Sequence, residues 1–271
     1  MNSMTIQSNI QKYPLGQIAE RSWYGFGRMT ADVVKHILYH LDVVYKASLP
    51  AGAKLLSSNH PTTIDPVMMT TLVPEQVSIL INEILFKVPV LGKSLAAGGH
   101  IPVVYSNGRQ ALEAGVRYLN DGRTVGIFPE GEITPEKGGL AKFHTGAARL
   151  VLSTGVPVIP IGIALAKDCI TQINTVVDGK VEVGTWYFHG PYSITLGAPM
   201  FFKGDPDDRA HVREVTEKIA GRITELSRES AQRLAARQMN KPAPGSWFRN
   251  LRQPRCLQLA PTGMTAQKQL K

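Results

Sequence analysis

From Thr30 to Lys46 the apolar positions fall at Val34, Leu38, Leu41 and Val44 or Tyr45, three or four residues apart with a polar opposite face. That spacing predicts a helix. Tyr13, Trp23, Tyr24 and Phe26 lie just upstream. The segment reads either as a helix packed on the domain or as an amphipathic, aromatic-anchored helix that dips into a bilayer interface. Farther along, short apolar runs predict strands at 54–58, 77–81, 100–104, 124–128 and 157–163, and helices near 66–72, 108–120 and 144–154. Such alternation predicts a single α/β domain with a mixed, largely parallel sheet flanked by helices. Runs at 180–188 and 191–196, joined at His189-Gly190-Pro191, read as a hairpin-like edge. Asp205-Pro206 signals a helix start, after which Val212, Val215, Ile219, Ile223 and Leu226 keep helical spacing. Residues 1–20 are polar and expected to be poorly ordered, and the Pro-, Gln- and Arg-rich stretch after Asn240 lacks periodicity. The resulting division is an N-terminal helical segment at 1–49, a catalytic-type domain at 50–237 and a basic flexible tail at 238–271.

Charge changes this picture only at one end. The formal charge is +9, but from Ser230 onward there are eight Lys or Arg and no Asp or Glu, while residues 1–229 carry 22 basic and 21 acidic groups. The body is therefore not a basic nucleic-acid-binding surface. The tail, with Trp247, Phe248 and Leu251 among its cations, suits either adhesion to anionic headgroups or a solvated end. Cys169 and Cys256 are far apart and match no disulfide framework or zinc spacing, which points to a reducing compartment. The N-terminus shows no secretory signal pattern, and no window reaches the roughly 18–20 apolar residues that span a bilayer. A protein of this kind that works on lipid is expected on the cytoplasmic, inner face of a membrane, as a peripheral protein.

Two clusters carry candidate chemistry. In Ser57-Ser58-Asn59-His60-Pro61-Thr62-Thr63-Ile64-Asp65-Pro66 an apolar run ends in polar groups before a helix, so His60 emerges where α/β sheets place ligands. A carboxylate at Asp65 can fold back on the imidazole, fix its tautomer and leave the other nitrogen to accept a proton. The arrangement is the back half of a Ser-His-Asp triad, with a substrate hydroxyl in place of the serine. The same letters also fit a plain N-cap at Asp65 with Pro at the first helical position, worth about 1 kcal/mol. The second cluster follows the strand at 124–128 directly: Pro129-Glu130-Gly131-Glu132. Gly131 allows close backbone approach and a bare amide for an acceptor, though exposed acids in a tight turn would look alike.

His60-Pro61-Thr62-Thr63-Ile64-Asp65, then Phe128-Pro129-Glu130-Gly131, then Val156-Pro157-Val158-Ile159-Pro160-Ile161 resemble, in order and separation, three of the four blocks of the glycerolipid acyltransferases, a family that includes glycerol-3-phosphate and 1-acylglycerol-3-phosphate acyltransferases. The resemblance covers roughly residues 50–200. It implies that His60 deprotonates an acceptor hydroxyl and Asp65 orients it. The hydroxyl then attacks the thioester of acyl-CoA or an acyl carrier protein, with no acyl-enzyme and no cofactor beyond that co-substrate. It assigns the acceptor side to Glu130, Gly131, Tyr105, Arg109 and Lys142, and the acyl-site lining to Val156, Pro157, Ile159 and Pro160. Two positions depart from the family. The second block, matched by Gly99-His100-Ile101-Pro102-Val103-Val104-Tyr105, commonly ends in Arg, and Glu-Gly is commonly followed by Thr-Arg-Ser where this chain has Glu132-Ile133-Thr134. Arg109, Lys137 and Lys142 are the cations near enough in sequence to substitute. An acceptor without phosphate, such as an amino-acid-derived lipid or a secondary-metabolite hydroxyl, and a non-catalytic acyl-chain-binding module are the alternatives.

Other signals are weak. Leu91-Gly92-Lys93-Ser94 lacks the upstream glycine of a phosphate loop, and no Gly-x-Ser-x-Gly is present. His100 and His144 read as structural or acceptor-side residues. His36 and His40 lie one turn apart without a third ligand, so no metal is expected.

Overall fold

The structure, a computed structural model, describes residues 14–104, 107–134, 140–177 and 180–239. Tyr105, Lys137, Cys256 and the basic tail from Asn240 lie outside them. In chain order the elements are α1 (Pro14–Leu38), β1 (Tyr39–Tyr45), β2 (Leu55–Ser58), α2 (Asp65–Thr70), β3 (Val77–Asn82), α3 (Ile84–Lys87), α4 (Leu91–Ala97), β4 (Ile101–Val103), α5 (Gly108–Asn120), β5 (Thr124–Ile127), α6 (Gly146–Thr154), β6 (Val158–Leu165), β7 (Ile170–Val177), β8 (Lys180–Tyr187), β9 (Gly190–Leu196) and α7 (Arg209–Met239). One seven-stranded sheet runs β1-β9-β6-β2-β5-β3-β4, and β7 with β8 forms a separate two-stranded sheet. Every neighbouring pair in the large sheet is parallel except β9 against β6. The predicted mixed, largely parallel sheet is present.

Both faces of the sheet are buried, so its central strands are apolar at successive positions. Leu56, Ile79, Ile159, Ile161 and Ile163 pack with Met68 and Met69 on one face. Leu55, Val125 and Val158 face α5, α6 and α7 on the other, against Tyr118, Leu150, Val215 and Ile219. α7 lies close enough to β6 that a Cβ on Gly162 would stand 2.0 Å from the Ser227 backbone nitrogen. Only glycine admits that approach. The helix begins at Arg209, where Asp208 Oδ1 accepts from the amides of Ala210 at 2.9 Å and His211 at 3.2 Å. The cap therefore lies three residues beyond the Asp205 that the sequence suggests.

Two expectations fail. The helix predicted over 30–46 ends at Leu38, and residues 39–45 form a strand parallel to β9. Tyr39, Leu41 and Val43 also obey a period of two and turn into the core. The partner strand, some 150 residues away in sequence, decides which period wins. The hairpin expected between 180–188 and 191–196 does not exist. β8 pairs with β7, and β9 enters the main sheet between β1 and β6. The dipeptide Asp178-Gly179 between β7 and β8 is a hairpin signal that could have found this pairing.

α1 is two-sided. Its inner face carries Tyr24, whose phenolic oxygen accepts from the Val77 amide at 3.0 Å, and Glu20, which pairs with Arg123 and accepts from Gln76. Its outer face exposes Trp23, Phe26, Met29, Val33 and Ile37. The helix is thus packed on the domain and also presents an apolar stripe outward.

The edge strand β1 is locked by Asp42, which accepts from Arg233 Nε at 2.8 Å and Ser193 Oγ at 2.9 Å. Burial pushes its carboxyl up, but the bonds from Arg233 and Ser193 and the charges of Arg233 and Arg237 outweigh that and hold it below its usual value. The stability it contributes is therefore complete above about pH 4 and is lost as pH falls through the lowered folded value. In urea titrations, Asp42→Asn is expected to be less stable than the parent at pH 7, with the gap closing in acid.

Candidate active site

β2, the buried centre of the sheet, delivers the chain to its carboxyl edge at Asn59. The Asn59 amide closes on the Ile163 backbone in both directions, donating to its carbonyl at 3.0 Å and accepting from its amide at 2.8 Å. This clamp fixes where His60 leaves the sheet. His60 Nδ1 lies 2.9 Å from Asp65 Oδ2, and its ring stacks on Phe128 with centroids 4.2 Å apart. Nε2 has no hydrogen-bond partner among the described residues. The side chain is 17% exposed, enough for a substrate to reach it.

Asp65 is fully buried. Its side chain does not cap α2: the N-cap is Ile64, with no side-chain cap bond. The carboxylate turns back instead. Oδ2 accepts from the Thr62 amide at 2.7 Å as well as facing His60, while Oδ1 accepts from Thr62 Oγ1 at 2.8 Å and from the Tyr192 hydroxyl. Such bonds replace the water that a buried carboxylate loses and keep it aimed at His60. Burial first, then the charge of Asp65 and the bond to it, hold the Tyr192 hydroxyl well above its ordinary value, so it stays a donor. Tyr39 nearby is pushed up to about 12, mainly by burial and then by Asp65.

Glu130 is 1% exposed, and both its oxygens are occupied by protein. Oε1 accepts from the His60 amide at 2.9 Å and from Thr134 Oγ1 at 2.8 Å, and Oε2 accepts from the Ala141 amide at 2.7 Å. The Thr134 amide returns a bond to the His60 carbonyl at 2.8 Å. Glu130 therefore braces the backbone of His60, where the sequence suggests direct acceptor contact. Gly131 adopts φ 71°, and its amide donates to the Phe128 carbonyl at 3.0 Å, so that amide is not bare. A Cβ there would meet the His144 ring at 3.1 Å, which places His144 against the turn. Arg109 is exposed and paired with Glu113. Lys142 is exposed beside Ala141. His100 lies behind the site, accepting from the Ile79 amide at 3.2 Å; burial, aided by the Arg123 charge, pushes it down to about 4 and keeps it neutral.

Of the block Val156, Pro157, Ile159 and Pro160, the last two are buried, while Val156 and Pro157 are half-buried, Val156 against the core. Ile159 is wholly buried and Pro160 pairs in register with Ser57. A cleft of about 630 Å³ opens instead beyond this block, lined by Ile163, Ala164 and Leu165 of the same strand and by Asn59, Pro61 and Thr134 around His60. A central parallel strand has helices over both faces, so only its carboxyl end meets open space. Among the described residues no group of three or more His, Cys, Asp or Glu is placed to hold a metal.

Tyr192 is the functional residue that the sequence conceals, since it lies 127 positions from Asp65 without a local motif. Tyr192→Phe removes a donor from a charged acceptor, an interaction of about 1.5–3 kcal/mol. It is expected to lower kcat of any reaction that depends on His60 by about tenfold or more with little change in KM. A thermal melt that stays in place separates this loss from mere loosening of the fold.

Comparison with known proteins agrees with this geometry. The Acyltransferase family profile matches residues 40–164, which include β2, the His60–Asp65 loop and the Glu130 turn. The 1-acyl-sn-glycerol-3-phosphate acyltransferase of Borreliella burgdorferi is 29% identical over 111 residues, covering 40% of this chain and 44% of the relative. The chain thus spans less than half the length of that relative. The Escherichia coli 1-acyl-sn-glycerol-3-phosphate acyltransferase is 26% identical over 191 residues, or 68% of this chain and 73% of the relative. The crystal structure of the 1-acyl-sn-glycerophosphate acyltransferase from Thermotoga maritima shares the fold, with a TM-score of 0.50 at 19% identity over 76% of this chain and 79% of that one. With the His60–Asp65 loop inside the matched segment, residues 40–164 of this chain are similar to the Acyltransferase family and to 1-acyl-sn-glycerol-3-phosphate acyltransferases.

Proposed function

We propose that the protein is an O-acyltransferase that moves a fatty acyl group from a thioester, acyl-CoA or acyl carrier protein, to a hydroxyl of lysophosphatidate or a related lipid acceptor. The observation that carries this reading is the His60–Asp65 pair at 2.9 Å, with Nε2 without a hydrogen-bond partner among the described residues and the flanking Asn59 and Pro61 lining a cleft. Nε2 accepts the acceptor's hydroxyl proton as its oxygen forms a bond to the thioester carbonyl carbon. The tetrahedral centre then collapses, the C–S bond breaks, and the thiolate takes the proton from the imidazolium. Asp65 stabilises the transient cation without itself moving a proton. Positioned general-base action of this kind supplies on the order of 10²–10⁴ in rate.

A second reading keeps the chemistry and changes the acceptor. Thr134, next to the Ile133 that departs from the family pattern, commits its hydroxyl and amide to Glu130 and His60 rather than to a substrate. That favours an acceptor whose charge is not phosphate, such as an amino-acid-derived lipid. Access to lipid follows from α1, whose stripe of Trp23, Phe26, Met29, Val33 and Ile37 suits the interface of a cytoplasm-facing membrane. Among the described residues no helix is long and apolar enough to cross one.

In a thiol-release assay with palmitoyl-CoA, lysophosphatidate is expected to outrun neutral and zwitterionic alcohols, and the reverse order selects the second reading. His60→Ala should cut the rate by about 10²-fold or more while leaving the thermal melt in place. Full turnover in a folded His60→Ala protein ends the mechanism, and palmitoyl-CoA binding without thiol release for any acceptor marks a non-catalytic module. Replacing Phe26 and Ile37 together by Ser removes two side chains worth about 1.5–3 kcal/mol each when buried. Co-sedimentation with anionic vesicles should weaken at least tenfold, and unchanged binding removes α1 as the membrane contact.

A further inference from the structure

The cleft beside His60 is lined largely by carbon and charged at only two points. Four of its polar lining residues are already bonded within the protein. Asn59 is closed on Ile163, Thr134 donates to Glu130, Thr224 Oγ1 donates to the Ala220 carbonyl at 2.8 Å, and Ser227 Oγ donates to the Ile163 carbonyl at 3.2 Å. Among the described residues no Asp or Glu lines the cleft. What remains for a ligand is an apolar wall, with Leu140, Ile163, Leu165, Ile170 and Leu234, and the cations Lys167 and Arg228. Neither cation has an ion pair among the described residues.

The shape follows from α7. Thr224, Ser227, Arg228, Ala231 and Leu234 line the cleft at helical spacing. Ten residues of helix make this stripe about 15 Å long. The small side chains at 224, 227 and 231 hold the helix surface back from the β7–β8 pair, whose Ile170 and Thr185 form the far wall. A trough of this kind with two unpaired cations and no anion is matched by a molecule having an extended apolar part and a compact negative group. A guanidinium and an ammonium together are suited to phosphate oxygens.

We propose that this groove is a substrate subsite for a phosphate-bearing amphiphile, whose apolar part lies along α7 and whose anion is held by Lys167 and Arg228. The inference rests on the acyltransferase reading above and names the residues by which that site selects charge. Two participants in the reaction share this chemistry: a lysophosphatidate-type acceptor, and the phosphate-containing carrier arm of the acyl donor. The neighbouring His60 needs both close by, and the groove holds one of them.

The test is equilibrium binding to the full chain, measured separately for 1-oleoyl-lysophosphatidate, for palmitoyl-CoA and for uncharged 1-oleoylglycerol, all below their aggregation limits. Lys167→Gln with Arg228→Gln is expected to weaken one of the two phosphate ligands at least tenfold, to remove most of the salt dependence of its binding, and to leave 1-oleoylglycerol unchanged. Which ligand loses affinity identifies the occupant. Ala231→Trp, which fills the trough without altering charge, should weaken the same ligand, with a thermal melt confirming that the variant folds. Affinities within twofold of the parent in both variants overturn the subsite, as does equal weakening of the uncharged lipid by the charge variant. Thiol release by the parent protein decides the acyltransferase reading separately, so that an active enzyme with unaltered binding in both variants sinks the groove alone.

Discussion

Removing the Asp65 carboxylate from water carries a penalty of several kcal/mol unless donors replace the lost hydration. Here the donors come from the loop itself and from one strand far away in the chain. Thr62 supplies an amide and a hydroxyl from the same loop, His60 supplies an imidazole N–H, and Tyr192 reaches in from β9. The loop can hold a buried charge only while β9 lies beside β6, because that antiparallel pairing brings Tyr192 to the register of Leu165. The active geometry is thus tied to the completeness of the sheet. A chain that had folded its parallel core but not docked β9 would leave Asp65 with fewer donors and His60 without a fixed partner.

A second buried carboxylate does related work from the other side. Glu130 gathers the amides of His60 and Ala141 and the hydroxyl of Thr134, joining the loops after β2 and β5 across the mouth of the sheet. Phe128 closes one face of the imidazole. The base is therefore held by its ring, its backbone and its hydrogen-bonded nitrogen, and one nitrogen remains for substrate. Preorganisation of this sort lowers the reorganisation needed when charge develops on the ring. The Phe128–Gly131 block thus reaches His60 through a hydrogen bond to its backbone and a ring stacked on its imidazole.

Much of this was legible in the sequence. The central strands β2, β3, β5 and β6 and the helices α5 and α6 are strongly patterned segments whose period is set locally, and they lie where the pattern puts them. The His60–Asp65 loop could be read because both residues sit in one connection, five positions apart. Less was legible wherever two periods fitted the same letters. Residues 39–45 satisfy both a helical and an alternating pattern, and β9 settles the matter from afar. The role of Glu130 was blurred for a similar reason: a carboxylate after a strand looks like a ligand until the backbone amides it accepts from are seen around it.

The amino-acid order alone determined the alternation of strands and helices and the two chemical clusters, because these depend on residues within a dozen positions of one another, and the order and separation of the blocks carried the family resemblance. Tertiary structure alone decided that Tyr192 completes the Asp65 shell, that β8 turns back on β7, that Ile159 and Pro160 are buried, and that the open cleft starts at Ile163. Each of these is a contact between segments far apart in the chain. Local propensity and spacing carry no record of such contacts, because the free energy that selects them exists only once the sheet has assembled.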